Sequence, residues 1–180
     1  WGWSLLPEVA MSVDRLSSVM MVFISGFGVL LYRHSVRYLQ QDAGHDRYLT
    51  LFALCISSLL FMVSCADFIM LFIFWQLLSW FLSLLSHNYL HGPTIKSSFR
   101  TFIILRAGDL TFIAGIAIAY HLYGTLEFNL IFARASIDQT IFSIFGSGLQ
   151  LTGVTLVTIL IFIGAMSKSA QIPLHMWLPD

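Results

Sequence analysis

Charged residues are scarce in this 180-residue chain: they make up 10% of it, against about 25% in a typical soluble domain. The formal net charge is zero, so nothing in the charge points to nucleic acid or to an acidic partner. Hydrophobic residues reach 58%, and the mean hydropathy is +0.84. A soluble core of this length could not hide so much apolar surface, whereas lipid can solvate it. The composition therefore predicts a membrane protein.

Signals for metal, phosphate and nucleophilic chemistry are also absent from the sequence. The two cysteines, Cys55 and Cys65, lie about 15 Å apart if they share one helix, which is too far for a disulfide. There is no metal-ligand spacing, no glycine-rich phosphate loop and no nucleophile motif. No residue pattern indicates a binding site for NADH, flavin, an iron–sulfur cluster or quinone. We therefore expect no cofactor in this chain and no redox chemistry from it.

The two ends of the chain predict a piece of a longer protein. The sequence begins Trp1-Gly-Trp3, without a methionine, and this is not the charged start of a secretory signal. It stops within the turn signal Leu178-Pro-Asp180. We expect residues 1–180 to be a fragment of one transmembrane domain.

The sequence does contain five long apolar runs, and each meets the roughly 20-residue requirement for a membrane helix. They are too long and too uniformly apolar for barrel strands, and lipid tolerates no unpaired backbone, so helices are expected. The predicted fold is an all-α polytopic transmembrane helix bundle whose fifth helix is broken. The predicted spans are about 13–32, 48–65, 68–85, 99–122 and 149–169.

The connections between the spans carry further predictions. Asp67 stands between spans two and three, where it is expected to cap the third helix. In the longest connection, Thr125–Ala135 predicts a short amphipathic helix, and Gly146-Ser-Gly148 marks a turn. Five basic residues fall in loops on one side, which is expected to face the cytoplasm, against Arg15 and Arg134 on the other. The five are Arg33, Arg37, Arg47, Lys96 and Arg100.

Three of the charged residues in the predicted spans are candidates for a functional role. Arg106 and Asp109 are three residues apart, so they share a helix face and can pair, either for packing alone or as a polar station on an ion path. Lys168 ends the fifth run, five residues before Pro173, and proline usually breaks a helix. Its ammonium group either snorkels to the interface or places a titratable charge inside the membrane.

Two uncharged positions complete the candidates. Gln76 lies in the middle of the third span, where its amide is expected to hydrogen-bond to a neighbouring helix. His175 follows Pro173 near the interface, where histidine is unremarkable on chemistry alone.

The last 17 residues closely resemble the signature of the proton-conducting antiporter-like membrane subunits. They read Gly164-Ala-Met-Ser-Lys-Ser-Ala-Gln-Ile-Pro-Leu-His-Met-Trp-Leu-Pro-Asp180. That superfamily includes the NuoL-type subunit of respiratory complex I, the large Mrp antiporter subunit and the DabB subunit of inorganic-carbon transporters. Three more segments fit the family in the same order: Ser12–Leu16, Ala66–Leu77 and Leu105–Phe112.

This resemblance implies a proton path through Lys168 at a broken helix. Asp109, Arg106, Gln76 and His175 are the further polar residues that we assign to that path. Complex I members carry a glutamate after the tryptophan of the third span, and it pairs with the lysine of the broken helix. Here the position is Gln76, which cannot titrate, so the standard complex I pumping mechanism is in doubt.

The segment Leu122–Ala135 resembles DabB more than a respiratory subunit. The expected function is therefore proton conduction that energises uptake of inorganic carbon as CO2 or bicarbonate, in the inner (plasma) membrane. The expected partners are lipid and a large cytoplasmic zinc protein resembling a carbonic anhydrase. The alternatives are a NuoL-type pump of NADH:quinone oxidoreductase, which would make the complex an enzyme, and a cation/proton antiporter subunit or non-conducting scaffold.

Overall fold

The structure is a computed structural model, and it describes residues 11–41, 44–85, 94–137, 140–144 and 149–172. The chain divides into two compact units, residues 1–95 and 96–180. The described residues form six helices and two strands. These are α1 (Arg15–Tyr38), α2 (His45–Val63), α3 (Phe68–Leu85), α4 (Thr94–Tyr123), α5 (Phe128–Ala135), β1 (Ile141–Ile144), β2 (Leu149–Thr152) and α6 (Gly153–Lys168).

Four of these helices are long and apolar enough to cross a membrane. They are α1, α2, α3 and the part of α4 from Phe99 to Tyr123. Helix α6 is apolar but has 16 residues, so it is only about 24 Å long. The predicted fold class, an all-α polytopic membrane bundle, is confirmed by this architecture.

In the first unit, α2 and α3 form a hairpin with a very short turn. Asp67 Oδ1 accepts a hydrogen bond from the Met70 backbone N–H at 2.7 Å, which confirms the predicted cap. The rings of Phe61 and Phe74 stack with centroids 5.0 Å apart and join the two helices near the turn. Cys55 and Cys65 are both buried and free.

Helix α1 begins at a second aspartate cap. Asp14 Oδ1 accepts from the Ser17 backbone N–H at 2.6 Å, and this bond lowers the pKa of the exposed Asp14 carboxyl. The Ser17 hydroxyl donates to the carbonyl oxygen of Val63 at 2.9 Å, which ties the start of α1 to the end of α2.

The helix ends differ from the predicted spans at three arginines. Arg33 and Arg37 lie inside α1 and Arg47 inside α2, where the sequence predicted a loop. A helix of 24 residues is about 36 Å long, so it extends beyond a hydrocarbon layer of about 30 Å and carries its charged end into the headgroup region. Arg47 donates to the carbonyl oxygen of Leu84 at 2.7 Å, at the negative end of α3.

In the second unit, a row of buried residues on α4 faces a row of buried residues on α6. Six buried positions of α4 alternate by four and three residues, which is the spacing of a coiled-coil seam. They are Thr101, Leu105, Gly108, Phe112, Gly115 and Ala119; Asp109 and Tyr123 are buried as well. On α6 the buried positions are Gly153, Val157, Gly164 and Ser167. Small residues in both rows allow the two helices to approach closely.

The fifth apolar run starts as a strand. Residues 149–152 pair antiparallel with residues 141–144, and α6 begins only at Gly153, with Thr152 as its cap. The sequence Leu149-Gln-Leu-Thr152 alternates apolar and polar residues, which is the period of a strand. The predicted amphipathic helix before this hairpin is present as α5. The turn predicted at Gly146–Gly148 lies outside the described residues.

Candidate functional site

A buried ion pair joins the end of α6 to the middle of α4. Lys168 is the last residue of α6, and its Nζ lies 3.5 Å from Asp109 Oδ1. The two side chains are 10% and 5% exposed, so the ammonium group does not reach out of the unit as a snorkelling lysine would. The contact is at the long end of hydrogen-bond geometry, so a small separation of the helices would break it.

A second cation holds the other oxygen of the same carboxylate. Arg106 Nη1 lies 3.2 Å from Asp109 Oδ2, one turn away on α4, as the spacing of the two residues predicts. The Arg106 guanidinium also stacks over the ring of Phe102, 5.1 Å from its centroid. One aspartate is therefore flanked by two positive groups.

This arrangement separates the roles of the two cations. Arginine keeps its proton in proteins, whereas a buried lysine can release it. When Lys168 is neutral, Asp109 still has Arg106 as a counter-charge, so the buried carboxylate is not left unpaired. A change of protonation at Lys168 would shift the net charge of these three groups between +1 and 0, and Asp109 would keep Arg106 as a counter-charge in both states.

Helix α6 ends immediately after Lys168 by a Schellman motif. The Gln171 backbone N–H bonds to the Met166 carbonyl at 3.2 Å, and Ser169 N–H bonds to Ala165 at 3.1 Å. Ala170 takes the left-handed conformation with φ 49°, a position that glycine usually fills because a Cβ is strained there. Lys168 therefore lies at the negative end of the helix, which favours its positive charge.

The other predicted site residues belong to the first unit or lie outside the described residues. Gln76 is half-buried midway along α3, in the first unit, and has interactions of its own. Pro173 and His175 lie outside the described residues. The helix ends at Lys168 through its own capping bonds, before the proline that the sequence singled out.

Sequence reasoning missed three small or polar residues on the facing sides of α4 and α6. Ser167 is fully buried, and its hydroxyl donates to the Gly164 carbonyl at 2.7 Å. Gly108 faces Ser167 so closely that no side chain would fit between them. Thr101 is 1% exposed, and its hydroxyl has no hydrogen-bond partner among the described residues. The alternating four-and-three spacing of the α4 row was the signal that could have found Thr101 and Gly108.

Two family profiles match the chain. The profile described as NADH:quinone oxidoreductase/Mrp antiporter, transmembrane, matches residues 65–180. The profile described as NADH-ubiquinone oxidoreductase (complex I), chain 5 N-terminus, matches residues 4–49.

Curated relatives agree with these matches. The probable inorganic carbon transporter subunit DabB1 of Halothiobacillus neapolitanus is 34% identical over 168 residues, 93% of this chain and 29% of the relative. The chloroplastic NAD(P)H-quinone oxidoreductase subunit 5 of Lotus japonicus is 31% identical over 187 residues, 100% of this chain and 24% of the relative. The chain thus spans less than a third of the length of these relatives.

A solved structure shares the fold. A chain of the membrane-bound sulfane sulfur reductase, an archaeal respiratory membrane complex, superposes with a TM-score of 0.67 at 22% identity. The match covers 89% of this chain and 30% of that one. At this identity the likeness concerns the fold.

Proposed function

Because the chain belongs to the NADH:quinone oxidoreductase/Mrp antiporter family of membrane subunits, we propose that it conducts protons as part of a multi-protein transport complex. The observation that supports this most is the buried cluster of Lys168, Asp109 and Arg106. Ionisable groups are costly in a membrane, and they commonly mark ion pathways there.

The proposed step is a change of protonation at Lys168. The neutral amine takes up a proton and is then held by Asp109; on release of the proton, Asp109 remains paired with Arg106. Since removing one partner of a buried ion pair costs about 3–5 kcal/mol, the second cation reduces the cost of the state in which Lys168 is neutral. Gln76 and His175 belong to the proposed polar path, Gln76 as a neutral hydrogen-bonding residue.

We further propose that the complex energises inorganic carbon uptake. The similarity to the DabB1 subunit supports this, as does Gln76 in a position where a carboxylate would be needed for the respiratory mechanism. The partner would then be a large cytoplasmic zinc protein resembling a carbonic anhydrase, and the location the inner membrane. This chain would carry no cofactor. The second candidate, a respiratory pump subunit, is favoured by the similarity to NAD(P)H-quinone oxidoreductase subunit 5.

The test uses the full-length protein in its own cells. Lys168→Ala is expected to abolish transport while the complex still assembles, because the exchangeable proton is lost. Lys168→Arg is expected to impair transport almost as strongly, since guanidinium does not release its proton. The measurement is carbon uptake and quinone reduction at matched membrane expression. Full activity of the alanine variant would mean that Lys168 does not carry protons.

The same cells separate the two candidate complexes. Purification through a tag on this subunit is expected to bring down a zinc-containing soluble protein in the carbon-uptake case. Recovery of NADH- or quinone-reactive subunits instead would favour the respiratory candidate and overturn the proposal of carbon uptake.

A further inference from the structure

We propose that Gly108 and Ser167 form a size-matched contact that sets the distance between Lys168 and Asp109, which makes Gly108 a positioning residue. The inference rests on the proposed role of Lys168 in proton conduction. Gly108 and Ser167 carry no charge and exchange no proton, and the inference gives them a role in positioning the charged pair.

Three close contacts run along the crossing of α4 and α6. A Cβ on Gly108 would lie 2.0 Å from Ser167 Oγ and 2.3 Å from Ser167 Cβ. Further along, a Cβ on Gly164 would lie 2.7 Å from Phe112 Cβ. A Cβ on Gly115 would lie 2.9 Å from Cγ1 of Ile161. The order of these contacts shows that the two helices pack antiparallel with their backbones close together.

The contact at Gly108 differs from the others because Ser167 cannot easily move. Its side chain is fully buried, and its hydroxyl is held by the Gly164 carbonyl at 2.7 Å. At Gly115 the nearest atom is Cγ1 of Ile161, whose side chain has other rotamers, and the next, Leu160 Cβ and Ile161 backbone N, lie 3.2 and 3.3 Å from the added Cβ. A methyl group at Gly108 would therefore displace the helices, whereas one at Gly115 requires a side-chain change and a much smaller backbone shift.

The ion pair lies next to this contact in both helices. Asp109 follows Gly108, and Lys168 follows Ser167, so a displacement at the contact is passed directly to the charged pair. The pair is already 3.5 Å apart, at the limit of a hydrogen bond, so it has little tolerance for further separation. Glycine also weakens a helix relative to alanine, and the tight contact is the physical reason for glycine here.

The experiment is a swap of side-chain size in the full-length protein within its complex. Gly108→Ala is expected to lower transport about tenfold, since misplacing a reacting group by about 1 Å can cost up to a hundredfold. Adding Ser167→Gly to it removes both clashing atoms and is expected to restore at least half of the lost transport. Ser167→Gly alone measures the cost of losing the hydroxyl, and the restoration is judged against that variant.

Three further variants separate the positioning role from general packing. Gly115→Ala tests the same helix contact away from the ion pair, and Gly26→Ala adds a methyl to α1 where no atom of the described residues lies within 4 Å. Both are expected to keep most of the transport. An equal loss in Gly108→Ala and Gly115→Ala, or no restoration by Ser167→Gly, would overturn the inference. Lys168→Ala runs in parallel: if it transports normally, the proposed function itself fails, whatever Gly108→Ala does.

Discussion

Helices α1 and α4 look alike by apolar length and differ in what their faces contact. Both are long enough to cross a membrane, yet 6% of the spanning residues are buried in α1 and 39% in α4. Among the residues that the structure describes, none comes within 4 Å of a Cβ on Gly26 of α1, whereas Gly108 and Gly115 of α4 lie close against α6. Val22 and Leu30 of α1 are 73% and 64% exposed.

The difference shows that apolar length alone does not locate function in a membrane chain. It identifies both helices equally, because lipid and a helix interface are both apolar environments. The polar cluster occurs on the helix whose small residues permit a close crossing, and a charge there finds a partner on the neighbouring helix. Changes in the buried seam should therefore affect transport much more than the same changes on exposed helix surfaces.

The largest expected contrast compares two Asp→Asn changes. Asp109→Asn removes the carboxylate that Lys168 and Arg106 share, so transport is expected to fall at least tenfold, given a cost of about 3–5 kcal/mol for a broken buried pair. Asp46→Asn removes a carboxylate whose side chain is fully exposed beside His45, and it should change little. Transport at matched expression measures both. Equal behaviour of the two variants would contradict the role given to the cluster.

A smaller effect is expected at Gln76. Gln76→Leu removes a membrane hydrogen bond worth about 0.6 kcal/mol on average, so transport should fall by no more than about threefold. Gln76→Glu adds a carboxylate that competes for the transferred proton, and transport should fall further. Proton flux in vesicles compares the two variants. A glutamate variant faster than the parent would show that a missing carboxylate was limiting.

The smallest effect on transport is expected at the helix cap of α3, which holds no proton of the proposed path. Asp67→Ala removes the hydrogen bond to the Met70 N–H and should cost about 1 kcal/mol of stability with transport nearly unchanged. Asp67→Asn keeps an oxygen acceptor and is the matched control. Thermal unfolding in detergent measures both, and an alanine variant as stable as the asparagine variant would contradict the capping role.

Much of this arrangement is predictable from local sequence patterns. The caps at Asp14 and Asp67 follow from side-chain chemistry beside apolar runs, and the pairing of Arg106 with Asp109 follows from helix spacing. The helix α5 was predicted from its amphipathic pattern.

Other features depend on contacts between distant segments. The salt bridge from Lys168 to Asp109 joins residues 59 positions apart, and no local pattern measures that distance. The pairing of residues 149–152 with residues 141–144 was not predicted. The second of these strands lies at the start of a predicted apolar span, and four residues of alternation are a weak signal. The end of the fifth span was predicted at about residue 169, close to the observed end of α6 at Lys168, but it was attributed to Pro173, whereas backbone bonds to Ala165 and Met166 already cap the helix. The small residues in the contact between α4 and α6 allow the two helices to pack closely, and this role is visible only when both helices are seen together.

Proton flux in vesicles containing the full-length complex tests the central claim most directly. Two variants each remove one positive charge: Lys168→Ala from the buried cluster, and Arg33→Ala from the exposed end of α1. At matched protein content, we expect no flux above background for Lys168→Ala and nearly parental flux for Arg33→Ala. Equal flux in the two variants would show that the buried lysine is a structural residue and that protons cross the membrane elsewhere.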